Sequence, residues 1–410
     1  MSAKKILKQL RFIPYRKHDI VEMCLRNQQS DIAPQQFKKL CQMLGHVFHF
    51  ELYQVTESMK NAYAAVNPDS DTIDIGLSDK STHFEFVNLL GGLLEKANYE
   101  RISEAELNHA MSEQSLFKIR LHVDFDDFSE VLLFCRGETL RKEKISSLFG
   151  LFSKEITFIN YDRVVVYLRF NDDFEPESGL EAYFRPGATV LKLFQNVPKA
   201  DLEMLFPNTR VRMRTLDKLL IGIPAAISGG IVITTKLGAT LVLIGSLLGF
   251  WLGFSSQPVE INTTVIVALF AGLAAFGGYL WKQFSNFKNR KLKFMQTLTQ
   301  NLYFKNLDNN AGVFHRLADD AEEEECKEAI LAYYFLLSSP EELTKDDLDN
   351  QIENWLYEQW QCSVDFEIDD ALNKLLSLGM IVKTDNTYQA LKTDDAMKVL
   401  DQRWDNYFQG

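Results

Sequence analysis

The chain has 410 residues, long enough for two or three domains that each bury a core, and its 46% hydrophobic and 24% charged residues give it the overall make-up of an ordinary soluble protein. The five cysteines are widely spaced and lack any C-x-x-C pair, which argues against a zinc site or a disulfide framework and for buried thiols. The formal charge of -12 is uneven: from Phe294 onward 9 Lys and Arg face 24 Asp and Glu, and this acidic segment excludes nucleic acid as its partner.

The opening MSAKKILKQLRFIPYRK is basic but has no apolar h-region or small-residue cleavage site, so no secretory signal is read there. Residues 1–115 form a helical region, because HDIVEMCLRN, PQQFKKLCQMLGHVFHFELYQV and HFEFVNLLGGLLEKA repeat apolar residues every three or four positions. His46 and His49 stand one helical turn apart near Glu51, but no third ligand is identifiable, so no metal and no other cofactor is assigned.

Over residues 116–217 the period shortens. KIRLHVDF, EVLLFCRG, EITFINY, RVVVYLRF and ATVLKLF read as strands of a mostly antiparallel sheet, and Ala200 to Phe206 as a short helix, which predicts an α+β domain.

Residues 218–293 form an apolar block. Leu237 to Phe254 and Thr263 to Trp281 are 18 and 19 residues without a charge, each roughly 27 to 29 Å as a helix, and predict two membrane spans. Basic residues flank the block on both outer sides, from Arg210 to Lys218 and from Lys282 to Lys293. By the positive-inside rule both termini are then cytoplasmic, and the loop Ser255 to Asn262 lies on the far side of a bacterial inner membrane rather than an organellar one. Leu219 to Thr235 contains Pro224 and the Gly229-Gly230 pair and predicts a re-entrant or interfacial segment; Ser228, Gly229, Gly230 and Lys236 are its pore or interface candidates. Gly245, Gly249 and Gly253 recur every four residues, as do Ala271 with Ala275 and Ala274 with Gly278, a spacing that lets helix backbones approach and predicts a homo-oligomer.

Residues 294–410 begin with a basic, partly amphipathic helix and become acidic. The order helix, helix, helix, hairpin, with MIVK and TYQAL as strands around a turn at Thr384 to Asn386, is that of a winged helix. Its third helix carries Glu367, Asp369 and Asp370 where a DNA reader needs arginines, so it reads as a protein-contact module. The polar cluster Asn309, Asn310, Gly312, His315, Arg316, Asp319 and Asp320 is a ligand-site candidate and equally a turn and helix cap.

The fold class predicted is a multi-domain α+β membrane protein: a helical N-terminal region, an antiparallel β-containing domain, a two-span transmembrane hairpin after a re-entrant or interfacial segment, and a winged-helix-like C-terminal domain. FIPYRKHDIVE (Phe12 to Glu22), KLFQNVPKADLEMLFP (Lys192 to Pro207), the apolar block, NLYFKNLDNNAGVFHRLADDAEEEECKEAILAYYFLL (Asn301 to Leu337) and RWDNYF (Arg403 to Phe408) resemble the transmembrane-protein-143-like family, catalogued also as a domain of unknown function. The resemblance implies a two-span membrane protein and brings no reaction, ligand or catalytic residue. Phosphate-binding, dinucleotide, nucleophile-elbow and H-E-x-x-H motifs are all missing, so no enzyme is expected. The reading is a non-catalytic homo-oligomer in the lipid bilayer whose cytoplasmic domains gather a protein partner, with a gated channel as the alternative.

Overall fold

A computed structural model describes residues 5–6, 9–27, 32–64, 66–69, 73, 83–112, 120–147, 152–176, 185–212, 238–254 and 263–407. It is a mixed α+β structure that divides into two compact units. The first draws on residues 1–114, 124–205 and 305–410, and the second on 115–123 and 206–304.

In the first unit, helices α1 (Lys17–Arg26), α2 (Pro34–Tyr63), α3 (His83–Lys96) and α4 (Glu104–Ser112) precede most of an antiparallel sheet. Its strands β1 (Lys5–Ile6), β4 (Phe128–Ser147), β5 (Phe152–Phe170), β6 (Thr189–Pro198) and β8 (Asn306–Asn309) pair in that order, and β2 (Glu100–Arg101) adds to β4. β4 and β5 form one long hairpin running from the Phe128–Phe170 pair to the Ser147–Phe152 pair. EITFINY and RVVVYLRF, expected as two strands, therefore belong to one. On the neighbouring β4, Gly137 adopts φ +76°, and a Cβ there would run into the Asp162 side chain. Ala200 to Phe206 is a 3₁₀ segment over Lys199–Leu205 rather than an α-helix.

Helix α7 (Ala311–Ser338) crosses the unit. From Ala329 to Leu337 it is apolar all round, with Ala329 to Tyr334 each 1% exposed or less, so it must be surrounded there by other elements. Two cores meet along it. One joins the second half of α2, α3, the sheet residues Val165, Tyr167, Leu191 and Leu193, and the start of α7. The other joins α1, the first half of α2, the end of α7 and the C-terminal elements.

Those C-terminal elements are β9 (Leu343–Thr344), α8 (Lys345–Trp360), α9 (Ile368–Ser377), the hairpin β10 (Ile381–Thr384) and β11 (Thr387–Ala390), and α10 (Thr393–Asn406), with β9 completing a three-stranded sheet on β11. The Thr344 hydroxyl accepts from the Asp347 amide at 3.2 Å and caps α8, whose first turn is acidic as the helix dipole favours. The N-terminal strap is tied here too: the Leu10 amide donates to the Ser363 carbonyl at 3.1 Å, and the Asp365 amide to the Leu10 carbonyl at 2.8 Å.

The second unit contains the antiparallel pair β3 (Arg120–His122) and β7 (Arg210–Arg212), and the helices α5 (Gly238–Trp251) and α6 (Thr263–Lys305), the last residue of which falls in the first unit. Here the expected membrane hairpin is corrected: among the described residues, no helix is long and apolar enough to cross a membrane. The 14 residues of α5 reach only about 21 Å, short of a hydrocarbon core of about 30 Å. The helix stops because Gly253 adopts φ +78° and the Phe254 amide turns back to the Gly249 carbonyl at 2.8 Å. α6 runs over 43 residues, from Thr263 to Lys305. The inner-membrane placement falls with the spans, and so does the channel that they were to build. The re-entrant candidates Ser228, Gly229, Gly230 and Lys236, and the loop 255–262, lie outside the described residues.

Candidate functional site

Helix α7 carries the polar chemistry of the first unit, and the sequence around its start and first turns explains how. Asn310 sits before the helix at φ 49°, ψ -125°, a conformation unusual for a residue with a side chain. Its side-chain oxygen accepts from the Tyr63 hydroxyl at 3.1 Å and from the Leu191 amide at 3.4 Å, its own amide donates to the Leu191 carbonyl at 2.7 Å, and its side-chain amide reaches Asp69. Asn309 accepts from Lys192 at 2.9 Å. These two residues of the predicted polar cluster therefore come together as a corner that ties α7 to β6 and to the end of α2. His315 and Asp319 lie further along α7. Burial lowers the pKa of His315, with Lys60 adding to the effect, whereas burial and then the neighbours Asp320, Glu322 and Glu323 raise that of Asp319.

One to two turns further, Glu322 to Glu328 spans nearly two turns of a helix whose neighbours lie on every side, so part of its charge is forced inside. Glu324, Glu325, Lys327 and Glu328 are each 2–3% exposed. Buried charges persist only when paired and hydrogen-bonded, and each of these has partners. Lys327 donates to Glu324 at 2.9 Å and to the Ile13 carbonyl at 2.7 Å, while Glu324 accepts from the Ile13 amide at 3.1 Å. The Arg136 guanidinium lies 3.3 Å from Asp320 and 3.8 Å from Glu324, sandwiched between the rings of Phe12 and Tyr99 at 5.0 and 4.9 Å. On the other flank, Lys374 of α9 contacts Glu325 at 2.7 Å, Glu328 at 3.0 Å and Asp370 at 2.6 Å.

A cleft of about 450 Å³ opens between α1, α2 and the Glu322 end of this run, lined among others by Lys17, Lys38, Cys41, His46 and His49. Its lysines are paired, Lys17 with Glu322 at 2.9 Å and Lys38 with Glu22 at 2.5 Å, and the His49 ring lies 2.7 Å from Glu322. Glu51, the neighbour expected beside the histidines, instead accepts from Arg403 at 2.9 Å and Tyr407 at 2.8 Å. Among the described residues, no group of three or more His, Cys, Asp or Glu is placed to hold a metal. Burial raises the Cys41 thiol well above its ordinary range and the Cys326 thiol to about 12, so neither is a ready nucleophile.

The packing candidates fall in the second unit. Gly245 and Gly249 lie within α5, Gly253 lies past its end, and a Cβ at any of the three meets nothing within 4 Å. Ala271, Ala275 and Gly278 all lie within α6; Ala271 and Gly278 are exposed.

Sequence reasoning missed the buried run from Glu324 to Glu328 with Lys374 and Arg136. The signal available was a charged heptapeptide, EEEECKE, continuous with the fully apolar AILAYYFLL in one helix. A helix surrounded there cannot turn all seven residues to water.

Fold and site thus define a mixed α+β protein with an internal ion-pair network. Residues 161–312, from within β5 to the first turn of α7, match the family model described as "Protein of unknown function (DUF3754)". No solved structure matches the chain.

Proposed function

We propose that the protein is a non-catalytic scaffold that works as a homo-oligomer: the second unit binds further copies, and the first presents its acidic C-terminal elements to protein partners. The observation that supports this is the concentration of exposed large apolar side chains on and just after α5 and on α6. Trp251 is 84% exposed, Phe254 86%, Phe270 64% and Trp281 72%, with Val242, Leu252 and Val267 also outward. Single exposed apolar residues are ordinary, but a series on two helices marks an interaction surface. The unobstructed Gly245 and Gly249 leave space for another backbone to approach between the larger side chains. The stretches shared with the transmembrane-protein-143-like family, Asn301 to Leu337 above all, support kinship with that family, which carries no known reaction to transfer.

The test is to replace Gly249 by Leu and Trp251 by Ser separately in the full chain and to measure particle mass by light scattering in a mild non-ionic detergent. Each variant is expected to shift mass toward the monomer while keeping the wild-type circular dichroism. Unchanged mass in both would refute the assignment of this surface.

A further inference from the structure

Lys374 has three ammonium protons and three carboxylates around it, two of which are inside the protein. Glu325 and Glu328 lie three residues apart on α7, a spacing that places both on one face, and both direct an Oε2 at the same Nζ, at 2.7 and 3.0 Å. Their side chains are 5% and 3% exposed and that of Lys374 12%, whereas Asp370, at 2.6 Å, is 50% exposed and remains hydrated. One buried cation therefore faces two buried anions. The desolvation cost of the second anion is uncompensated, and two carboxyl groups sharing one site do not both ionise freely.

We propose that Glu325, Glu328 and Lys374 form a proton-linked clasp, in which the two glutamates share one proton and the bound proton strengthens the docking of α9 on α7. This goes beyond the scaffold reading, since it concerns how the C-terminal elements are held and does not depend on self-association. The other charged groups facing the clasp do not supply the missing positive charge. On α7, Glu324 adds a further anion but is itself held by Lys327 at 2.9 Å and by Arg136 of β4 at 3.8 Å. From the end of α3, Lys96 acts on Glu325 only at a distance, as the last of its influences, and Asn98 donates a neutral hydrogen bond to Glu328 Oε1 at 2.8 Å. From α9 itself, Asp370 adds negative charge.

Burial raises the carboxyl of Glu325 and pushes that of Glu328 up to about 7. Burial alone would lower the Lys374 ammonium, but Glu328, Glu325 and Asp370 more than reverse this, so the lysine stays charged and the proton resides on the glutamates. Because the docked state holds the proton more tightly than a solvated glutamate does, docking is strongest at acidic pH and weakens as pH rises through about 7. With an ordinary value of 4.5 in the open state, the docking equilibrium should change about tenfold between pH 6 and pH 8.

The experiment is hydrogen exchange of the α9 amides in the full chain at pH 6 and pH 8, corrected for the intrinsic rate. Wild type is expected to show protection about tenfold higher at pH 6, and Glu328→Gln, which keeps shape and hydrogen bonds but cannot titrate, to lose most of that difference. Protection independent of pH in wild type, or a full pH response surviving in Glu328→Gln, would overturn the clasp. If Glu328→Gln does not fold, Glu325→Gln takes its place: with one buried carboxylate per ammonium the shared proton is no longer needed, so the same loss is expected, and a retained tenfold response would again count against the proposal.

Discussion

The Lys327 ammonium, buried on α7, donates to the carbonyl of Ile13 at 2.7 Å, and so fixes the N-terminal strap to a helix more than three hundred residues away in sequence. Glu324 completes the grip from the Ile13 amide, so one buried ion pair satisfies both polar groups of a single residue. Removing one member of a buried pair strands the other. Lys327→Met should therefore destabilise the first unit by about 3–5 kcal/mol, whereas adding Glu324→Leu to it should recover part of the loss. Chemical denaturation of the two variants checks this; a double variant less stable than Lys327→Met would contradict it.

Asn310 should be costly to change. Replacing it by Ala removes the acceptor for Tyr63 and Leu191 and keeps a Cβ at positive φ, for a loss of about 2–3 kcal/mol. Asn310→Gly should cost less than Asn310→Ala, since glycine tolerates that backbone. Urea midpoints of the pair decide the order.

Asp349 on α8 has a buried Oδ1 without a hydrogen-bond partner, and burial followed by Glu353 and Asp365 raises its carboxyl to about 6. A carboxyl raised on folding favours the protonated native state, so its contribution is most favourable below the ordinary value near 4 and is lost as pH rises through about 6. Asp349→Asn should therefore raise Tm at pH 8 and change it little at pH 4. Since the side chain is only partly buried, the gain should be modest. A lower Tm at pH 8 would contradict the assignment.

The C-terminal elements should not bind DNA. Lys374, the only cation on α9, is locked among three carboxylates, and Asp369 on the same helix holds Lys345 at 3.0 Å. No salt-sensitive mobility shift is expected from the full chain, and a shift lost on Lys374→Ala would show that the lysine is available after all.

Much of the local structure is legible in the residues. The 3.6-residue pattern marks α1, α2 and α3, and the β-branched runs mark β4 to β6, because each of these elements buries one face. The Asp385-Asn386 turn follows from residues that tolerate positive φ, and Asp385 adopts φ 51°. The packing of the two chain ends into one unit is not legible, because periodicity reports which face is buried and not against what. The apolar block shows the same limit. The uncharged 18-residue run from Leu237 to Phe254 predicts a span, but Gly253 lies past the helix end at positive φ, which only the backbone conformation reveals. Asn309 and Asn310 are visible as polar residues in sequence, but their partners Tyr63, Asp69 and Lys192 come from distant segments.

Self-association through the second unit can be read from sedimentation velocity of the full chain over a hundredfold concentration range in mild detergent. A discrete species heavier than one chain is expected at the high end, dissociating on dilution or on Trp251→Ser. A single species of one chain's mass throughout, with the far-ultraviolet signal of a folded protein, would contradict it.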